Sequence, residues 1–216
     1  MTDVTEMMAQ SEGVKAVYLT GEDMKLASSL LYLAYHDDPV FMDVLKHQKS
    51  GYDDRLRHLI REELNAFWKG HQPMFGIFSG EHLLAVACVT KPDGELPTAR
   101  YWHWRLKMMM SSGYFSTKQM IEKENKIQQA ISDFHGHYLS FIAVHPQHQQ
   151  HGLGHYLLRA IDSLVSEDEQ SDGVAVYVTD KKHQAFFKQN DFLEKTEISV
   201  GTIQGVLMIK AKETRK

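Results

Sequence analysis

The chain has 216 residues, 43% of them hydrophobic and 24% charged, with a formal net charge of −4. Those proportions give enough apolar side chains for a sizeable core, exclude wholesale disorder, and give no support to a general nucleic-acid or anionic-membrane binder. The single cysteine, Cys88, excludes an internal disulfide framework and any multi-cysteine zinc site, and no apolar run approaches the ~20 residues that span a bilayer. Residues 1–12 are polar and partly acidic, without a basic-then-apolar pattern. They are expected to form a flexible N-terminus rather than a signal peptide. No repeat or linker marks a boundary, so residues 13–212 are expected to form a single domain of a cytoplasmic protein.

In chain order, Val14–Thr20 reads as a strand and Gly21–Tyr35 as an amphipathic helix. Asp37-Asp38-Pro39 ends that helix, because the residue before proline disfavours the α region. The turn can also present carboxylates to an amine. Tyr52–Lys69 is a second amphipathic helix, with Leu56, Leu59, Ile60, Leu64 and Phe67 on one face. Met74–Phe78 and Leu83–Thr90 read as a hairpin closed by Ser79-Gly80-Glu81. Ala99–Met110 and 118–133 are predicted helices, and Tyr138–Val144 is a strongly apolar strand. Gly152–Val165 reads as a helix, Val174–Thr179 as a strand, Lys181–Gln189 as a short helix, and 192–200 with 202–211 as a closing strand pair. The order predicts an α/β protein with a mixed, mostly antiparallel central sheet and helices on both faces.

Chemistry concentrates in Tyr138 to Ala160, YLSFIAVHPQHQQHGLGHYLLRA. An apolar strand ends at Val144, a turn carries Gly152 and Gly154, and an amphipathic helix follows at once. The first N–H groups of a helix have no partner inside it and lie at the positive end of its dipole. Glycines remove the Cβ atoms that would hold an anion away from them. This is an anion cradle suited to a diphosphate. It is neither the three-glycine dinucleotide fingerprint nor a Walker loop, which needs Gly-Lys-Ser/Thr.

The run Val144-His145-Pro146-Gln147-His148-Gln149-Gln150-His151-Gly152-Leu153-Gly154 resembles the acetyl-CoA signature of the GCN5-related N-acetyltransferases, Val-x-Pro-x-x-(Arg/Gln)-x-x-Gly-x-Gly/Ala. That family's second motif, an Asn followed seven residues on by Tyr and then Gly-Phe, is echoed with changes: Asp180, Phe187 and Asp191 stand for the Asn, Tyr and Gly. Ala34-Tyr35-x-x-Asp38-Pro39-x-Phe41 is similar to a helical segment of members that act on small molecules.

The resemblance implies the acyl-CoA N-acyltransferase fold and direct transfer of an acetyl group from acetyl-CoA, the co-substrate, to a primary amine. It implies that Phe141, Ile142, Ala143 and Val144 offer backbone groups to the pantetheine arm. The N–H groups of Gln149, Gln150, His151, Gly152, Leu153 and Gly154 would hold the pyrophosphate where two strands splay apart. His151 and His155, when protonated, would add attraction to the phosphates. Asp180 and Phe187 occupy the second motif's cofactor positions, Asp180 as a helix N-cap. Phe187 cannot donate a proton to the leaving thiolate, so Tyr177 and His183 are the substitutes, and His137 or His103 the candidate general base.

Other readings stay beside these. The family pocket without efficient catalysis would be an acyl-CoA-binding or sensing module, and a protein or peptide N-terminus or lysine is an alternative acceptor. His135, His137, His145, His148, His151 and His155 crowd one region, but no carboxylate completes a ligand motif and no metal site is expected. Cys88 reads as a small buried core residue, and Met108-Met109-Met110 with Trp102 and Trp104 as core or as an apolar substrate wall. No nucleic-acid or membrane partner is expected, and a monomer and a homodimer fit equally well.

Overall fold

A seven-stranded sheet in the order β1-β2-β3-β4-β5-β7-β6 organises the chain. It belongs to a computed structural model that describes residues 14–92, 114–200 and 202–213. The strands are β1 (Val14–Tyr18), β2 (Met74–Ser79), β3 (His82–Thr90), β4 (His137–Val144), β5 (Gly173–Val178), β6 (Leu193–Val200) and β7 (Ile203–Ala211). Every neighbouring pair is antiparallel except β4 with β5. The parallel step follows from the crossover helix α5 (Leu153–Glu167) between those two strands. The mixed, mostly antiparallel sheet is therefore as the element order predicts.

Two cores flank the sheet. On one face, α1 (Met24–Tyr35), α2 (Pro39–Val44) and α3 (Tyr52–Lys69) cover β3 and β4, burying Leu30, Leu31, Leu59, Ile60, Cys88 and Phe141. The same face continues under α4 (Tyr114–Ala130), where Ile127 meets Ala175, Ile198 and Leu207. On the other face, α5 and α6 (Lys181–Lys188) bury Leu157, Leu158, Ile161 and Phe187 against Val176, Val178 and Met208. Cys88 lies in the core with its thiol pushed far up by burial, as its apolar strand predicts. No helix among the described residues is long and apolar enough to cross a membrane.

The Asp37-Asp38-Pro39 break is real, but it is not only a turn. Asp38 caps α2 by accepting from the N–H groups of Val40 and Phe41, and Pro39 takes the first helical turn, where a missing N–H removes no bond. The short α2 is absent from the sequence reading because six residues give too little periodicity to detect. The predicted helix over Ala99–Met110 and the Met108–Met110 wall lie outside the described residues.

Candidate functional site

Strand β4 changes character halfway along its length. Its first three residues pair in parallel with β5, His137 with Val174, Tyr138 with Ala175 and Leu139 with Val176, and pairing stops there. On the β3 side pairing continues to Ala85–Val144, but the register shifts: Val89 faces Leu139 and Cys88 faces Phe141. Ser140 is thus an extra residue, a β-bulge, at the point where β5 is lost. A bulge bends its strand and increases the local twist, which accounts for the divergence of the two strands.

Beyond the bulge no strand covers the β5 side of β4. His145 donates its N–H to Leu84 C=O across β3. Bonded positions alternate in an antiparallel ladder, so Ile142 and Val144 aim their N–H and C=O groups toward the side β5 has left. Beyond β4 the chain makes a one-turn helix over Pro146–His148 and reaches α5 through Gln150 and Gly152, both with left-handed backbone at φ 64° and 76°. The first backbone bonds of α5 run from His155 and Tyr156 to Gly152 C=O. The N–H groups of Gly152, Leu153 and Gly154 precede them and sit at the positive end of a 15-residue helix.

The two glycines do different work. A Cβ on Gly152 would meet nothing within 4 Å, whereas a Cβ on Gly154 would lie 3.0 Å from the Phe186 ring. Gly152 keeps the cradle open and satisfies the left-handed φ. Gly154 instead lets α5 approach α6. The residues 145–155 contain neither Lys nor Arg, and their positive charge can come only from His145, His148, His151 and His155. Of these, His145 accepts from Gln147 N–H through Nδ1, and His155 bonds Asn190 through Nδ1 at 2.8 Å while its ring faces Phe186. His148 and His151 are exposed. Among the described residues no three His, Cys, Asp or Glu side chains gather as a metal site.

The second motif lies beside this cradle. Asp180 caps α6, its Oδ1 accepting from Lys182 N–H at 2.6 Å. Phe187 is buried between Phe186 and Phe192, with ring centroids 5.3 and 5.0 Å away. Tyr177 points to the face that carries α1 to α4, and its hydroxyl is held by Ile198 C=O at 3.0 Å. His183 is exposed on α6. The structure does not bring His137 to the free edge: it starts β4, buried, with Nδ1 donating to Ser171 Oγ at 2.9 Å. Ser171 Oγ in turn donates to Gly173 C=O, so this is a structural chain of bonds. His103 lies outside the described residues.

Two residues of the Ala34–Phe41 segment, Tyr35 and Asp38, are linked here, Asp38 N–H donating to Tyr35 C=O. Tyr35, the last residue of α1, places its hydroxyl on Ile142, donating to the C=O at 3.1 Å and accepting from the N–H at 3.2 Å. Burial pushes its phenol far above the ordinary value. Asp38, one turn later, has its carboxyl raised by burial, although the N–H groups of Phe41 and Val40 and the charges of Lys123 and His183 oppose this. The negative charge of Asp38 also reaches Tyr35, Tyr52 and Tyr177; burial first and that charge second hold Tyr177 up at about 12. The Asp38 carboxyl thus has the Val40 and Phe41 N–H groups, Lys123 and His183 around it. In the sequence Asp38 stands out by its place before a proline, which a turn explains equally well, and by the similarity of the Ala34–Phe41 segment to one in members that act on small molecules.

No protein-family model and no curated protein sequence matches the chain. Solved structures do resemble it. One is described as histone acetyltransferase HPA2 and related acetyltransferase from Corynebacterium glutamicum, at 15% identity and a TM-score of 0.70, covering 94% of this chain and 98% of that one. The C-terminal condensation domain of Ebony, solved with β-alanyl-dopamine, gives 11% identity and a TM-score of 0.66 over 92% of this chain and 98% of that one. PaiA N-acetyltransferase from Thermoplasma acidophilum, solved with coenzyme A, gives 11% identity and a TM-score of 0.58 over 92% and 99%. With the bulged, splayed β4 and the glycine turn into α5, these likenesses establish that the chain carries the acyl-CoA N-acyltransferase fold of the GCN5-related N-acetyltransferases.

Proposed function

We propose that the protein is an acetyl-CoA-dependent N-acetyltransferase that acetylates a primary amine of a small molecule. The observation that carries this is the loss of β5 pairing after Leu139, which leaves the Ile142 and Val144 backbone groups on an open edge that runs straight into the glycine cradle. An extended, amide-bearing arm pairs with such an edge as an added strand. The Gly152, Leu153 and Gly154 N–H groups, with His148 and His151 alongside when protonated, suit the pyrophosphate that follows. That relatives of this fold have been solved with coenzyme A supports the choice of cofactor.

Amine attack on the thioester needs a free amine, a stabilised oxyanion and a leaving thiolate. Asp38, whose N–H bonds Tyr35 C=O, supplies a carboxylate three residues from the tyrosine that touches Ile142. It can attract the incoming ammonium, and a carboxyl raised by burial is a better base than an ordinary one. The Ile142 N–H is positioned for the acyl oxygen. His137 takes no part in this reading, because its ring is occupied at the closed end of β4.

Calorimetric titration with acetyl-CoA tests the reading, followed by CoA release across a panel of primary amines. Binding with Kd of ~1–100 μM and amine-dependent release are expected. A folded protein that does not bind acetyl-CoA overturns it. The burial of Phe187, where the family motif has a tyrosine, favours one second reading, a binding or sensing module. Binding without release by any amine, or by peptide amines, would select that module.

A further inference from the structure

The unpaired edge of β4 is not bare in the structure, and what covers it is specific. A backbone N–H and C=O on one residue of an open edge ordinarily bond water or another strand. At Ile142 both bond a single side-chain atom, the Tyr35 hydroxyl, at 3.2 and 3.1 Å. The ring is held in place edge-on to both Phe41 and Phe141, with centroids 5.6 Å away in each case. Tyr35 also anchors the turn that follows, since its C=O accepts from Asp38 N–H at 3.1 Å. The hydroxyl therefore occupies the position in which an acyl oxygen would take the Ile142 N–H.

A second observation makes that position consequential. Phe187 offers no hydroxyl, and the Tyr177 hydroxyl is held by Ile198 C=O on β6. Among the described residues, Tyr35 is the one whose side-chain hydroxyl bonds the open edge of β4. When a thioester oxygen takes the Ile142 N–H, the Tyr35 oxygen loses its donor but keeps its own proton. Displaced from the N–H, it remains next to an oxygen that is gaining negative charge and can turn its proton toward it. A neutral phenol that burial keeps protonated is suited to this role, because it donates without competing for the proton.

We propose that Tyr35 is a catalytic residue of the acyl transfer: its hydroxyl holds the Ile142 amide in the empty protein and becomes the second hydrogen-bond donor, beside that amide, to the acyl oxygen. The proposal rests on the acetyl-CoA reading of the site. No covalent bond to Tyr35 forms or breaks. The amine nitrogen adds to the thioester carbon, the oxyanion is held by Ile142 N–H and Tyr35 O–H, and the C–S bond breaks as the carbonyl reforms. The amine proton passes to Asp38, and the thiolate leaves as such or takes a separate proton from solvent.

The test is difference infrared spectroscopy of carbonyl-13C-labelled acetyl-CoA bound to the wild type and to Tyr35→Phe, with affinities measured in parallel by calorimetry. This needs no acceptor. The carbonyl stretch is expected to fall on binding to the wild type and to recover at least half of that fall in Tyr35→Phe, with affinity nearly unchanged. With an amine that supports CoA release, kcat should drop by ~10²-fold with little change in KM for acetyl-CoA. An identical carbonyl frequency in both proteins, including the case in which Tyr35→Phe binds more tightly, overturns the proposal and leaves the acetyl-CoA reading standing. Failure of the wild type to bind overturns both. If Tyr35→Phe does not fold, 3-fluorotyrosine at position 35, a stronger donor of the same shape, should lower the bound carbonyl frequency further, and no change overturns the proposal.

Discussion

The two ends of β4 differ in what satisfies the backbone. At the His137 end the strand is paired on both sides, and the buried imidazole is bonded to Ser171. At the Val144 end β3 remains but β5 is gone, and a tyrosine hydroxyl takes the place of a strand. One strand thus has a complete ladder at one end and an edge that no strand covers at the other, with Ser140 at the change. Binding edges must be left incomplete in the empty protein, and a complete ladder leaves nothing for a ligand to pair with.

Substitutions at the two ends should therefore fall into different classes. The largest effect is expected at the open end. Asp38→Asn retains an N-cap of equal quality but removes the charge, so the fold should stand while amine-dependent CoA release drops by ~10²–10⁴-fold. A steady-state assay with a circular-dichroism control measures both, and unchanged turnover would remove Asp38 from the mechanism. At the closed end, His137→Ala leaves a cavity and removes the bond to Ser171 Oγ. It should lower stability by about 2–4 kcal/mol in denaturant unfolding without changing acetyl-CoA affinity in the folded protein.

The same histidine carries a pH signature. Burial lowers its pKa, against the pull of Asp168 and with the help of Lys91 and Lys212. The unfolded chain then binds a proton more readily than the folded one below the ordinary histidine value of ~6.5, so stability falls as pH drops through that value and levels off below the lowered native one. His137→Ala should flatten that slope, and an unaltered slope would assign it to other groups.

Smaller effects probe the second motif. Phe187→Tyr restores the family's residue by name, but the ring lies in the core between Phe186 and Phe192, so the new hydroxyl would be buried without a partner. The expected result is about 1–3 kcal/mol of destabilisation and no gain in turnover. A rise in kcat would show that the ring can turn toward the sulfur. Asp180→Ala loses the cap on α6 and should cost about 1 kcal/mol in thermal unfolding, the smallest change of the set.

Much of this was legible in the chain. Helix α3, the β2–β3 hairpin and α5 lie where apolar periodicity puts them, because each is a local pattern of side chains against one face. The Asp180 cap was readable for the same reason, an acidic residue at a helix start. Other readings missed because their causes are not local. Gly154 reads as a glycine kept for an anion, yet its Cβ space is taken by Phe186 across the fold. His137 reads as a base beside the cofactor strand, yet it occupies the end of that strand distant from the site.

By itself the sequence determined the order of the seven strands and of most helices between them, the mixed sheet that order implies, and the glycine turn that ends β4 and begins α5, since each depends on neighbours a few residues apart. Only the tertiary structure decided where β4 parts from β5, because that depends on a one-residue register shift against β3 at Ser140. It alone placed Tyr35 on Ile142, 107 residues further along the chain, and buried the Asp38 carboxyl within reach of Lys123 and His183. A strand edge and a buried carboxylate are defined by what packs against them, and that is a property of the folded chain rather than of any segment of it.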